Sequence, residues 1–307
     1  MKFTLLLLIF GCCFSTWAQE HLEKELERIN FFPNTDAYLT TSYAHKQLHI
    51  ETPQESLDTK SVTNLSNTLE LTYAQKVARK VFVGVNLYLE EASENGVKYG
   101  VPIRRRFTSF GFKEPEIFAT FRLKQQKVDK GLYDLHLAFS PSLGQREIGN
   151  ENANRLNGRN IAKLALSHGF WEEAWEFQTK LGLTYFDEGE EQNHFSDLIY
   201  DLRSKQDVRM NFTAQYRLTY WWFLHAGVGI VYAGSQEVVE RGGMKREIKA
   251  GTGSEFSLGV KHILDSWSLV EMNYGLYRYD YFVKADAANL EGDAVEHSIG
   301  LAYKRAF

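Results

Sequence analysis

The chain has 307 residues, with 35 Lys and Arg against 39 Asp and Glu and a formal net charge of −4. That near-neutral balance excludes any bulk electrostatic case for nucleic acid. Mean hydropathy is −0.36, and beyond the first residues no run approaches the ~18 apolar residues of a transmembrane helix, so a membrane reading must rest on strands.

Residues 1–18 read as a secretory signal peptide: an early Lys2, an apolar run from Phe3 to Phe14, and a Thr16-Trp17-Ala18 cleavage site. A lipid-attachment box, Ile9-Phe10-Gly11-Cys12, is the rival reading, and Phe10 fits it poorly. Both cysteines, Cys12 and Cys13, lie in this segment. Export would therefore leave a chain without thiols, which excludes disulfides, Cys-ligated zinc and a Cys nucleophile. Residues 19–33 place Leu22, Leu26 and Ile29 on one helical face and read as a periplasmic segment ahead of the main domain.

From residue 34 to the end the pattern is alternation. The stretch KVFVGVNLYLE sets Val81, Val83, Val85, Leu87 and Leu89 against Phe82, Gly84, Asn86 and Tyr88. EIFATFRL, LYDLHLAFS, DVRMNFTAQYRL and SEFSLGVKH repeat the period of two, and about twelve such segments of roughly ten residues can be placed. Connections alternate as well. Short ones (Val77–Lys80, Lys127–Gly131, Gly169–Ala174, Thr219–Trp222, Leu264–Trp267) are interleaved with long ones near 49–65, 144–159 and 187–206. This predicts an all-β, transmembrane, antiparallel up-and-down barrel of about twelve strands over residues 34–307, with short periplasmic turns and long extracellular loops.

Trp171, Trp175, Trp221, Trp222 and Trp267 all sit at or beside the short turns, as expected of an interfacial aromatic girdle. A second girdle is expected outside, from Tyr88, Tyr185, Phe186, Tyr232, Tyr279 and Tyr281. The chain ends HSIGLAYKRAF, with Ile299, Leu301, Tyr303 and Phe307 in alternate positions. This end resembles the recognition signal that outer-membrane barrels present to the barrel-assembly machinery, with Tyr303 and Phe307 as its aromatics and Arg305 as a departure from the pattern.

The strand face opposite the apolar one carries the charges. Glu116, Arg122, Asp134, His136, Lys163, Lys180, Arg209, Arg217, Glu255, Lys261 and Glu271 are the candidate pore-lining residues. Charge is costly against lipid at mid-membrane, so this segregation belongs to a lumen. Two readings of that lumen follow: a hydrated pore, or a narrow barrel filled by cross-lumen ion pairs. Gly84, Gly182, Gly227, Gly229, Gly259 and Gly275 lie on the same face and are expected to leave space there. In the long loops, Arg104, Arg105 and Arg106 and the acidic Glu190 and Glu191 are placed to form a vestibule by pairing across the mouth.

The domain as a whole resembles the Gram-negative outer-membrane β-barrel superfamily. The segment GFKEPEIFATFRL is similar to a Gly-x-x-Asp-Pro element followed by a strand in the phenol-degradation meta-pathway transporter family, with Glu114 in place of the Asp. That resemblance implies uptake of small hydrophobic or aromatic solutes and fixes no binding residue. The function expected is passive passage of small solutes through an outer-membrane channel, with no cofactor and no metal. Outer-membrane lipid and lipopolysaccharide are the expected surroundings. A closed structural or surface-interaction barrel is one alternative. A lipid-modifying hydrolase is another, and it would need a lipid-facing His paired with a nucleophile near the outer leaflet. The lipid-facing histidines, His168 and His262, lie instead near the short-turn end.

Overall fold

The computed structural model describes residues 36–52, 60–97, 104–125, 131–148, 156–172, 174–193, 198–241, 243, 245–265, 267–285 and 288–307. The expected signal peptide and the segment 19–33 lie outside the described residues. Strands account for nearly all of the rest: β1 (Ala37–Thr52), β2 (Lys60–Ala78), β3 (Val81–Val97), β4 (Arg104–Phe112), β5 (Glu116–Gln125), β6 (Gly131–Ser140), β7 (Arg146–Ile148), β8 (Arg159–Glu172) and β9 (Trp175–Asn193) in the first part. β10 (Leu198–Leu202), β11 (Lys205–Arg217), β12 (Trp222–Ala233), β13 (Gln236–Glu240), β14 (Lys245–Ile248), β15 (Gly251–Asp265), β16 (Ser268–Ala285) and β17 (Ala288–Ala306) complete the chain.

Twelve of these, β1, β2, β3, β5, β6, β8, β9, β11, β12, β15, β16 and β17, pair in sequence order as a closed antiparallel barrel. Closure is made by β17 on β1, in register from Tyr38 opposite Ala306 to Glu51 opposite Asp293. The last residue finishes the seam: the Phe307 N–H donates to the Ala37 carbonyl at 2.8 Å, and the Asp36 N–H donates to the Phe307 carbonyl at 3.1 Å. The beginning of β1 and the end of β17 thus satisfy each other's backbone groups, and the seam closes the wall.

Alternation sorts the side chains as expected. Leu71, Leu87, Ile117, Leu137, Leu164, Met210, Ile230, Leu258 and Leu301 are exposed on the outer wall. A soluble protein would hide such a band, whereas a barrel in lipid needs it. The charged set lies on the opposite parity and faces the interior. Register shifts occur at Lys76/Ala78, Arg122/Lys124 and Ile263/Asp265, beside short turns, and at Arg159/Ile161, at the opposite end of the wall. The bulges stay at the rim, so they do not invert the parity of the spanning segments.

Several of the expected long connections are strand in their described residues. β2, β9 and β17 are each 19 residues long, about twice the 9–11 residues a crossing requires. Beyond the wall they continue as paired ribbons: Thr52 opposite Lys60, Val97 opposite Arg104, Asn193 opposite Leu198, and Ala285 opposite Ala288. The ribbons explain why the period-two signal fades before the strands end. Outside lipid neither face has to be apolar, so hydrogen bonding continues without an apolar stripe.

Candidate functional site

The interior is the place where chemistry-bearing side chains converge. Among the described residues it encloses a cavity of about 690 Å³ toward the ribbon end, with Glu70, Tyr88, Glu90, Glu116, His136, Lys163, Lys180, Asp207 and Arg209 in its lining. The geometry follows from the register. His136 stands opposite Ala165, Lys180 opposite Ser167 and Asn211, and Arg209 opposite Gly182, so long charged side chains face short ones and reach into open volume.

Most interior charges have partners. Glu116 accepts from Lys163 and, at 2.9 Å, from the Asn86 amide. Arg122 and Asp134 form a buried bidentate pair at 2.5 and 3.3 Å. The two residues are directly opposite across β5 and β6. Glu255 accepts from Asn211 at 2.7 Å and lies 3.1 Å from Arg209. Lys261 donates to Gln215 at 2.8 Å, and Gln215 donates in turn to Glu176 at 3.0 Å. His136 meets the Thr120 hydroxyl at 3.0 Å, and Glu271 lies 3.3 Å from His225. Arg217 is the residue set apart: its backbone N–H donates to Ala174 in the short β8–β9 turn, so it stands at the rim and away from the cavity. Lys180 makes no ion pair among the described residues, although Lys163 and Arg209 flank it.

Three expectations need correction. The first concerns the glycines. A Cβ on Gly84 would lie 2.5 Å from Phe118 Cζ, one on Gly229 2.6 Å from Asn211 Nδ2, and one on Gly259 would overlap His225 Nε2. Gly227 and Gly275 are covered by Ser257 and Ser298 in the same way. These glycines accept a neighbour's side chain laid flat along the wall, so they create no room. Gly182 is different, since its nearest neighbours would be 3.9 Å from a Cβ. The second concerns the far girdle. Tyr185 and Tyr232 are on the outer wall, but Tyr88 and Phe186 have inward parity and line the cavity. Tyr279 stacks on Tyr277 with the same parity as Glu271, so it also leaves the girdle. The third concerns the vestibule. Glu190 pairs with Arg241, and Glu191 pairs with Arg146 at 3.4 Å. Arg104, Arg105 and Arg106 lie on β4 opposite Val97, Gly96 and Asn95. The acidic residues therefore have partners on their own side of the mouth, because the ribbons bring those partners closer.

Two features had no forecast. Phe82 and Phe118 are buried inside with Ala74 and Ala138, and Phe223, Ile263 and Leu269 pack with Tyr220 and Trp221. The interior at the short-turn end thus carries two apolar clusters among charged groups, with Lys261 directly opposite Phe223, and Trp221 belongs to that packing and not to the outer girdle. Trp175, Trp222 and Trp267 are exposed on the outside, as a girdle requires. His168 stacks on Tyr133 at 4.4 Å and His262 on Trp222 at 4.1 Å, which assigns both lipid-facing histidines to that aromatic ring.

The second feature is a buried carboxylate. The wall breaks between β4 and β5 at Lys113-Glu114-Pro115. Glu114 is 1% exposed there and accepts the Asn157 N–H at 2.7 and 2.8 Å and the Gly158 N–H at 3.3 Å. Gly158 has φ +74° and packs against β7 and β9. A proline after an acidic residue, at a gap between two apolar alternations, was the available signal. Above the cavity, Arg159 and Lys205 each stand 4.6 Å from the Phe186 ring centre. Burial lowers the Arg159 pKa to about 10. Among the described residues no group of three or more His, Cys, Asp or Glu is arranged to hold a metal ion.

Comparison with known proteins agrees with this architecture. A family model described as "Putative MetA-pathway of phenol degradation" matches residues 115–276, just over half of the chain. The chain belongs to this family. The match begins at Pro115, inside the segment whose Glu-Pro element carried the resemblance in the sequence. No curated protein matches the chain. Among solved structures, it is similar to the COG4313 outer membrane channel from Pseudomonas putida F1, at 12% identity and a TM-score of 0.62, over 90% of this chain and 97% of that one. It is also similar to the translocator domain of the autotransporter NalP from Neisseria meningitidis, at 12% identity and TM-score 0.51, over 95% of each chain. The transport unit of the autotransporter AIDA-I from Escherichia coli matches at 9% identity and TM-score 0.52, over 94% of this chain and 97% of that one. At these identities the likeness is one of fold: a closed antiparallel β-barrel, as in those outer-membrane proteins.

Proposed function

We propose that this protein is an outer-membrane channel for the passive passage of small solutes. The observation that carries the reading is the pairing of two surfaces on one wall. The outside is a band of exposed Leu, Ile, Phe and Met, and the inside encloses a cavity of about 690 Å³ lined by both signs of charge. A barrel that served only as a scaffold has no need of that space. The similar barrel from Pseudomonas putida is an outer membrane channel, which supports the same reading here.

In this reading the short turns and both termini lie in the periplasm, and the ribbons point outward into lipopolysaccharide. Export would use residues 1–18, and insertion would use the terminal strand with Tyr303 and Phe307 as the signal read by the assembly machinery. A solute would enter between the ribbons and meet Tyr88 and Phe186. It would then pass the charged rows formed by Glu116, Lys163, Lys180, Arg209 and Glu255. The apolar clusters around Phe82 and Phe223 set the narrow part at the periplasmic end. Selectivity comes from the balance of fixed charges along that path.

Liposome swelling tests this proposal. Purified protein reconstituted in liposomes should admit a small neutral sugar, with rates that fall as solute size rises. Liposomes containing folded, heat-modifiable protein that swell no faster than empty ones would overturn it.

A further inference from the structure

Beside the main cavity is a recess of about 290 Å³ lined by Gln178, Lys180, Gly182, Arg209, Asn211 and Thr213. Its lining holds two cations, two amides and a hydroxyl, and no carboxylate. We infer that this recess is a binding subsite for the carboxylate head of a small organic anion, whose body lies in the adjoining cavity. The inference rests on the reading of the interior as accessible to solute.

Three observations carry it. First, the charge is uncompensated at one point. Arg209 and Asn211 are both held by Glu255, at 3.1 and 2.7 Å, and Lys163 is held by Glu116. Lys180 alone of this group makes no ion pair among the described residues, and it is exposed to the interior space. The local excess is one positive charge, which suits a monoanion. An unpaired cation in a space walled off by protein attracts an anion far more strongly than one in bulk water.

Second, the backbone leaves room where the ligand has to sit. Gly182 lies directly opposite both Ala165 and Arg209. The interior glycines on other strands are covered by neighbouring side chains, whereas a Cβ at Gly182 would have nothing nearer than 3.9 Å. The opening is therefore built between the two cations rather than scattered round the wall.

Third, the recess is joined to a larger space that offers apolar and aromatic wall beside its charged groups. Lys180, Gly182 and Arg209 also line the 690 Å³ cavity, whose wall includes Tyr88, Ile161, Phe186 and Val231. A polar recess of this size is too small and too hydrophilic for a whole organic ligand, since pockets for those run from ~300 Å³ upward and are mostly apolar. A charged head in the recess and an apolar body against Tyr88 and Phe186 fits both halves. An inorganic anion would use only the first half.

Equilibrium binding to the full-length folded protein in detergent, measured by titration calorimetry with hexanoate, acetate and hexanol as probes, tests the site without requiring conduction. Hexanoate should bind more tightly than either acetate or hexanol. Lys180→Gln should weaken hexanoate by about tenfold or more, the usual consequence of losing one charge-assisted hydrogen bond, and Lys180→Arg should restore most of it. Gly182→Val fills the recess without touching a charge and should weaken hexanoate as well. It keeps the test decisive if the Lys180 variants fold poorly. Equal binding of hexanoate to wild type and to either Lys180→Gln or Gly182→Val, or equal affinity for hexanoate and hexanol, would overturn the inference. Liposomes that fail to swell while hexanoate still binds would refute the channel and leave the site standing. Swelling without hexanoate binding would do the reverse.

Discussion

Removing the Glu114 carboxylate should have the largest effect of any single substitution at the mouth of the barrel. The side chain is 1% exposed and accepts the backbone N–H groups of Asn157 at 2.7 and 2.8 Å and of Gly158 at 3.3 Å. Each hydrogen bond to a charged acceptor is worth about 1.5–3 kcal/mol, and a buried donor left without a partner costs about 1–3 kcal/mol. Glu114→Ala loses the acceptor for two donors and opens a void, so about 3–5 kcal/mol of stability should disappear. Glu114→Gln keeps one acceptor oxygen and should lose roughly half of that. The bonded segment also meets β7 and β9, where the Glu190 N–H donates to the Gly158 carbonyl at 3.4 Å and Arg146 pairs with Glu191. Urea unfolding of the refolded protein, followed by tryptophan fluorescence and by heat-modifiable gel mobility, measures the loss. Trypsin adds a local readout, because cleavage after Arg146 should speed up in Glu114→Ala before global unfolding does. An unfolding midpoint and an Arg146 cleavage rate both equal to wild type would refute the reasoning.

Other outcomes follow from the same structure. Asp134→Ala strands the buried Arg122 guanidinium and should cost about 3–5 kcal/mol, while the double replacement Arg122→Met with Asp134→Leu should cost far less; a double-mutant cycle in urea reads the difference. Val228→Lys puts a cation on the lipid-facing wall of β12, near mid-strand, and should destabilise the folded protein by about 2–4 kcal/mol in bilayers. Gly158→Ala forces a side chain into φ +74° with the Glu190 carbonyl 2.5 Å from the new Cβ, and thermal unfolding of that variant should begin at lower temperature. At the opposite end, Asp265 has its pKa lowered by the Ser268 hydroxyl and by the backbone N–H groups of Trp267 and Ser268. The contribution is therefore complete above the ordinary aspartate value of about 3.9 and is lost as pH falls through the lower folded value. Asp265→Ala should therefore lower stability slightly at neutral pH, since the group is largely exposed, and should flatten the acid limb so that the variant and wild type converge below the folded value.

What could be read from the sequence was what a lipid boundary imposes. Leu71, Leu87, Ile117, Leu164 and Ile230 must meet hydrocarbon, so every crossing carries an apolar stripe of period two, and twelve crossings with their inward charged faces are legible from that alone. The seam between β1 and β17 was legible from the terminal alternation. The ribbons were not, because Lys60–Asn67 and Glu90–Val97 pair outside lipid and need no apolar face. The interior was legible in parity but not in packing. Phe118 over Gly84, His225 over Gly259 and the Phe82 and Phe223 clusters depend on which residue stands opposite which, and a single strand does not record that. Tyr88 and Phe186 show the same limit: both were assigned by height in the membrane, while their parity places them inside. Glu114 was visible as a residue before a proline. Its role depended on Asn157 and Gly158, more than forty positions away.

The central claim is that the interior is an open, charge-lined path. Single-channel recording of the refolded protein in a planar bilayer, with reversal potentials in asymmetric salt, tests it most directly. Stable conductance steps are predicted, with a selectivity that moves toward cations in Arg209→Glu, where the guanidinium 3.1 Å from Glu255 becomes a second carboxylate. A folded, heat-modifiable barrel that inserts and stays electrically silent, or a reversal potential that Arg209→Glu leaves unmoved, would contradict it.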